Sequence, residues 1–173
     1  MTSSSPSAQD AQLRIAVLLL AAGEGSRLGT HPKTLLHRDG KTLLERFTSA
    51  IQGFSPVECI VVTGFHAQLI ESVIAKMNAS LTHPMKIIRN ASPEAGQPSS
   101  VRLGLESFKS DFDALLVALS DQPEVGAKEI QELLDEYTKR EDGQEIILPL
   151  VDGKRGNPCL LYTSDAADEE DSV

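Results

Sequence analysis

Apolar positions along the chain follow two alternating rhythms. Short, nearly unbroken apolar runs predict strands at Ile15–Leu20, Glu58–Thr63, Met85–Arg89, Ala114–Ala118 and Glu145–Pro149. The segments between them predict helices over Thr42–Gln52, His66–Asn78, Ser99–Ser107 and Ala127–Arg140. Leu69, Val73 and Met77 recur at helical spacing in the second helix, and Ile130, Leu133, Leu134 and Tyr137 in the last. This alternation predicts an α/β fold of three layers, a mostly parallel sheet with helices on both faces. Ligands of such sheets bind beyond the carboxyl ends of the strands. A glycine-rich stretch follows the first run, Thr63–Gly64 end the second, Asn90 follows the third and Asp121 lies just past the fourth. These positions converge on one shared site.

Composition narrows the picture. At 173 residues and 40% hydrophobic content, the chain suits a single domain with a substantial core. Tryptophan is absent and aromatic residues make up 4%, so packing must rest on Leu, Ile, Val and Ala. A net charge of −9 argues against a nucleic-acid-binding surface, which wants a basic stripe. No apolar run has the length of a membrane span, so no membrane partner is expected. The opening MTSSSPSAQDAQ lacks the cationic start and apolar stretch of a signal peptide and predicts a disordered leader over 1–12. Cys59 and Cys159 support neither a disulfide framework nor a zinc site, and the expected compartment is a reducing cytoplasm.

The stretch after the first strand reads AAGEGSRLGTHPK, from Ala21 to Lys33. Small residues and glycines let a backbone approach a ligand closely, and Arg27 and Lys33 add two cations at short range. Backbone N–H groups with nearby cations suit a triphosphate. The P-loop pattern fails, because Thr30, His31 and Pro32 separate Gly29 from Lys33. The dinucleotide fingerprint fails as well, because Gly23, Gly25 and Gly29 are spaced one residue too wide.

The whole segment, LLAAGEGSRLGTHPKTLL, resembles the glycine loop of the MobA-like nucleotidyltransferases, and within them most of all the molybdenum cofactor cytidylyltransferases. The resemblance implies a Rossmann-like nucleotidyltransferase fold. It implies that Leu20, Ala21, Ala22, Gly23 and Gly25 wrap the triphosphate while Arg27 and Lys33 neutralise it. A carboxylate at the tip of a buried strand is held rigidly and suits a hard cation shared with phosphate oxygens. Asp121, in SDQP, also matches the family's D-x-P element, where that Asp binds Mg²⁺; the plainer account is an Asp-containing turn closing the strand.

The segment NASPEAGQPSSVRLGL resembles a further family element that lines the nucleotide pocket near base and ribose. Gly96, Ser99 and Ser100, with Asn90 and Thr63–Gly64, are therefore nucleotide-binding candidates. Ser99 or Ser100 could equally cap the helix. DGKRGNP, from Asp152 to Pro158, resembles the family's acceptor-side segment and nominates Arg155, Gly156 and Asn157; a hairpin turn at Asp152–Gly153 is the plainer account. The four histidines, His31, His37, His66 and His83, are scattered and fit no ligand spacing.

The resemblance runs from about Leu18 to Pro158 and then stops. Relatives continue into further strands and helices, so the C-terminal part of the fold is expected to be missing and the domain to occupy 13–158. Residues 159–173, CLLYTSDAADEEDSV, carry five acidic residues and no basic one. CLLYTSDAAD also resembles one translated frame of a sequencing adapter. The expectation is a tail outside the domain, either adapter-derived or acidic and disordered.

The resemblance implies nucleotidyl transfer from an NTP with loss of pyrophosphate, and Arg27, Lys33 and Asp121 as catalytic residues. The Ala21–Ala22–Gly23 form of the loop favours CTP over GTP. The implied acceptor is the terminal phosphate of molybdopterin, with a molybdoenzyme or its chaperone as a protein partner. Two alternatives stand beside it: transfer to a sugar or polyol phosphate, and a non-catalytic nucleotide-binding or cofactor-chaperone protein.

Overall fold

A computed structural model of the chain describes residues 12–25, 31–141 and 143–162. Arg27 and most of the expected leader and tail lie outside the described residues. In chain order the elements begin with β1 (Ile15–Ala21), a small hairpin of β2 (His37–Arg38) and β3 (Lys41–Thr42), and α1 (Leu43–Gln52). Then come β4 (Glu58–Thr63), α2 (Ala67–Asn78), β5 (Met85–Arg89), α3 (Gln97–Leu105) and β6 (Ala114–Leu119). The last are α4 (Ala127–Thr138), β7 (Ile146–Ile147), a second hairpin of β8 (Leu150–Val151) and β9 (Lys154–Arg155), and β10 (Cys159–Tyr162).

All seven residues of β1 are buried, as expected of an apolar run with no polar alternation. It lies inside a six-stranded sheet of order β5-β4-β1-β6-β10-β7. Strands β5, β4, β1 and β6 run parallel, while β10 is antiparallel to both β6 and β7. The chain moves outward from β1 through β4 to β5, then returns to the other side of β1 for β6. That reversal opens a crevice at the carboxyl ends of β1 and β6.

Helices cover both faces, as the alternation predicts. Ile15, Val17 and Leu19 pack with Leu44, Phe47 and Ile51 of α1, Ile70 and Ile74 of α2, and Ile130, Leu133 and Leu134 of α4. Ala16, Leu18 and Leu20 face the other way, toward Val101 and Leu103 of α3 and toward Phe108 and Phe112 just beyond it. The approach of α3 is close: a Cβ on Gly104 would stand 2.3 Å from Leu18 Cδ1. Thr42 and Glu45 start α1 with a capping box, each side chain bonded to the other's backbone N–H.

The parallel core and the four long helices follow the sequence expectations to within a few residues. Helix α3 starts earlier, at Gln97, because Pro98 is tolerated in a first turn. The strand expected over Glu145–Pro149 shortens to Ile146–Ile147. The boundary expected after Pro158 falls just before β10, whose residues pair from Cys159 with Val117 to Tyr162 with Ala114. Leu160 is 1% exposed there. The run CLLY is too short to announce itself beside the polar residues behind it, and its strand form comes from pairing on both sides. Both hairpins turn on an Asp–Gly pair with positive φ, 52° and 79° at Asp39–Gly40 and 51° and 74° at Asp152–Gly153.

Glu71 of α2 joins the ends of β4 and β5. Thr63 Oγ1 donates to Glu71 Oε1 at 2.7 Å, and Arg89 Nε donates to the same oxygen at 2.9 Å, with Arg89 Nη2 bonded to Oε2. The Arg89 guanidinium, opposed by burial and helped by Thr63, holds the Glu71 carboxyl below its ordinary 4.5.

Two outcomes follow. Leu160→Ala lowers stability by about 2–5 kcal/mol in chemical denaturation, as for other fully buried leucines; a loss under about 0.5 kcal/mol would show that β10 is not part of the cooperative fold. Glu71→Gln costs about 1 kcal/mol at pH 7. Because the folded-state pKa is lowered, the wild-type advantage is present above the unfolded value and disappears as pH falls through the folded one. Urea titrations at neutral and acid pH test this, and a gap that stays constant into acid contradicts it.

Candidate active site

The strand ends are level. Ala21 lies opposite Thr63, Thr63 opposite Arg89, and Leu20 opposite Leu119. The residues just beyond, Ala22, Gly64, Asn90 and Ser120, therefore form one row along the top of the sheet. Above it lies a cavity of about 350 Å³, within the range of small-molecule sites. Its walls are the loop Leu20–Gly25, Pro32–Thr34, Leu119–Asp121, Phe65 and Ile70, and Pro93, Gly96, Gln97 and Ser100.

Lys33 and Asp121 meet on this wall. Lys33 Nζ stands 3.8 Å from Asp121 Oδ2, and both side chains are 37% exposed. The 3₁₀ turn Lys33–Leu35 carries the lysine, and the turn after β6 carries the aspartate. A buried bond joins their neighbours, Thr34 Oγ1 donating to the Ser120 carbonyl at 3.1 Å. Ser120 N–H in turn donates to the Leu20 carbonyl at 3.0 Å.

The glycine loop is held from above as well. His66 Nε2 lies 2.8 Å from the Glu24 carbonyl, which can only accept, so the ring donates from Nε2. Gly64 has another duty than ligand contact. A Cβ there would lie 2.8 Å from both Ala22 Cβ and Pro93 Cβ and 2.9 Å from the Ala22 carbonyl. Only a glycine lets β4 end between the loop and the Pro93 turn.

Asn90, 8% exposed, anchors the start of α3. Its amide donates to Ser99 Oγ and Ser100 Oγ at 2.9 Å each, and its Oδ1 accepts from Ser92 N–H at 2.9 Å. Ser99 Oγ donates to the Gly96 carbonyl at 2.7 Å. The helix N-terminus with Gly96, Gln97 and Ser100 thus forms one side of the cavity.

Of the sequence candidates, Leu20, Ala21, Ala22, Gly23, Gly25, Lys33, Gly96, Ser100 and Asp121 line the cavity. Thr63, Gly64, Asn90 and Ser99 are not among the lining residues: Gly64 packs against Ala22 and Pro93, Asn90 and Ser99 hold the start of α3, and Thr63 bonds Glu71. Arg155, Gly156 and Asn157 are not among the lining residues; Arg155 is exposed on the β8–β9 hairpin and Gly156 N–H donates to the Pro149 carbonyl at 2.8 Å. Arg27 lies outside the described residues. Sequence reasoning passed over Thr34 and His66, since bonds to distant backbone leave no periodic or spaced signal, and over Phe65, a lone aromatic of the cavity wall.

The donor set suits a divalent cation held jointly with a ligand. Asp121 offers an accessible carboxylate at the cavity wall. No cluster of three or more His, Cys, Asp or Glu side chains forms a cage among the described residues. One carboxylate completed by phosphate oxygens and water is the way Mg²⁺ binds in nucleotide sites. Among the described residues, no helix is long and apolar enough to cross a membrane.

Comparison with known proteins agrees with this fold. The bifunctional protein GlmU of Mycobacterium avium is 28% identical over 152 residues, covering 87% of this chain and 31% of that protein. The chain thus spans about a third of the length of the curated relatives it matches. A nucleotidyl transferase from Methanothermobacter thermautotroptrophicus, Mth528, is 26% identical with a TM-score of 0.66, covering 86% of this chain and 71% of that one. The inositol-1-phosphate CTP transferase of T. maritima shares the fold at 15% identity and a TM-score of 0.59, covering 88% and 71%. The model of the MobA-like NTP transferase domain matches residues 17–172, and the chain belongs to that family.

Proposed function

We propose that the chain is a nucleotidyltransferase that moves a nucleoside monophosphate from an NTP to a phosphorylated acceptor. The observation that carries this reading is the meeting of Lys33 and Asp121, from opposite halves of the chain, on the wall of a cavity also lined by the Ala21–Gly25 loop. An acceptor phosphate oxygen attacks the α-phosphorus, the bond from that phosphorus to the bridging oxygen breaks, and pyrophosphate leaves. The protein's share is positioning and charge neutralisation. The loop backbone cradles the phosphates, while Lys33 and Arg27 offset their charge. Asp121 holds Mg²⁺, which when bound neutralises phosphate oxygens. His66 and Gly64 keep the loop in place, and the α3 N-terminus with Gly96, Gln97 and Ser100 borders the nucleoside.

CTP is the proposed donor, on the Ala21–Ala22–Gly23 form of the loop. The proposed acceptor is a polyol or sugar phosphate. The T. maritima enzyme's name pairs this fold with CTP and an inositol phosphate, and the matched relatives span more than one member of the fold. The terminal phosphate of molybdopterin is the second reading, favoured by the likeness of LLAAGEGSRLGTHPKTLL to the molybdenum cofactor cytidylyltransferases. Mass spectrometry of products from CTP, Mg²⁺ and each acceptor separates the two. Binding of CTP without pyrophosphate release from any acceptor supports a non-catalytic role instead.

Lys33→Ala and Asp121→Asn each lower pyrophosphate release by about 10²-fold or more. Both side chains are more than one-third exposed, so chemical denaturation midpoints stay close to wild type. Near-normal turnover in Lys33→Ala removes the lysine from the mechanism.

A further inference from the structure

We infer that Thr34 is a positioning residue of this site: its hydroxyl, bonded to the Ser120 carbonyl, sets the separation of Lys33 from Asp121. The inference rests on the nucleotidyl-transfer reading. Thr34 and Ser120 are each 4% exposed, and each is the chain neighbour of one of the two charged residues. The 3.1 Å bond between them therefore fixes both backbones within one residue of the reacting groups. The ion pair itself cannot do this. It is partly exposed, spans 3.8 Å, and contributes little in water. It must also open when phosphate engages the lysine and a cation engages the aspartate.

The same residue, Ser120, binds a third part of the site. Ser120 N–H donates to the Leu20 carbonyl at 3.0 Å, at the point where β1 gives way to the glycine loop. The backbone of one residue, Ser120, thus ties together the loop, the lysine turn and the aspartate turn. A second tie lies on the far side of Asp121. Arg38 Nη1, on β2, donates to the Pro123 carbonyl at 3.1 Å and to Glu124 Oε1 at 2.6 Å. Segment 33–38 therefore grips segment 120–124 before and after the aspartate. Of the two grips, the Thr34 bond is the buried one, where loss of a partner costs most.

Thr34→Val keeps the shape and removes the donor, and Thr34→Ser keeps the donor. In the full chain, pyrophosphate release from CTP with inositol 1-phosphate as the acceptor is measured against CTP and Mg²⁺ concentration, with calorimetric titration of CTP in the presence and absence of Mg²⁺. The expected result for Thr34→Val is a fall in kcat of about 10- to 100-fold. Half-saturating Mg²⁺ rises, the KM for CTP changes much less, and Mg²⁺ strengthens CTP binding less than in wild type. Thr34→Ser recovers kcat to within about threefold. A folded Thr34→Val with wild-type kcat and Mg²⁺ dependence, and only a lower Tm, overturns the positioning role and leaves the nucleotidyl-transfer reading intact. If Thr34→Val does not fold, Thr34→Ala, which leaves room for water at the Ser120 carbonyl, gives the same comparison against Thr34→Ser. A wild-type chain that neither binds CTP with Mg²⁺ nor releases pyrophosphate overturns both readings together.

Discussion

Strand β1 is buried along its whole length, and the site depends on where that strand stops. A strand packed on both faces cannot slip by a residue without moving leucines into the wrong layer. Its parallel pairing with β4 and β6 then fixes where their ends lie, because Ala21 is opposite Thr63 and Leu20 opposite Leu119. The glycine loop, Gly64 and Ser120 thus emerge at one level from three segments far apart in sequence. Neither Lys33 nor Asp121 is near the other along the chain, and the register of buried apolar strands is what allows them to meet.

Much of this was legible in the sequence, for a physical reason. Residues 15–20 are apolar without interruption, and Ile130, Leu133, Leu134 and Tyr137 follow one helical face, so local pattern and burial agree. Asp121 could then be read as a site candidate from its place past a strand end, while Lys33, Gly96 and Ser100 rested on the family resemblance; all four line one cavity. What could not be read depends on contacts between distant segments. The run CLLY becomes a strand through pairing with Ala114–Val117 on one side and Ile146–Ile147 on the other. Thr63 and Asn90 occupy the expected row, yet their side chains turn to Glu71 and to the serines of α3. A threonine after a lysine and a histidine before a helix carry no local mark of the backbone carbonyls they bind.

The polar groups around the cavity divide into two kinds. Thr34, Asn90, Ser99 and His66 spend their hydrogen-bonding capacity on the protein's own backbone and side chains. The donors in these bonds cannot turn to a ligand without leaving a protein acceptor unpaired. Among the described residues, Lys33 and Asp121 are committed only to a loose contact with each other. The framework is therefore satisfied internally, while the charge that a nucleotide and its cation require stays available at the wall.

Overall charge makes that availability matter. The chain carries a net −9, so its long-range field repels a polyanionic nucleotide, and attraction must come from close range, where salt screens least. Separating a partly exposed pair 3.8 Å apart costs roughly 1 kcal/mol or less, far below what a triphosphate and a divalent cation return when they take its place. Breaking the buried Thr34–Ser120 bond costs about 1–3 kcal/mol. On these magnitudes the charges move and the frame does not: ligand binding exchanges the partners of Lys33 and Asp121 while their backbones keep the spacing set by the end of β6.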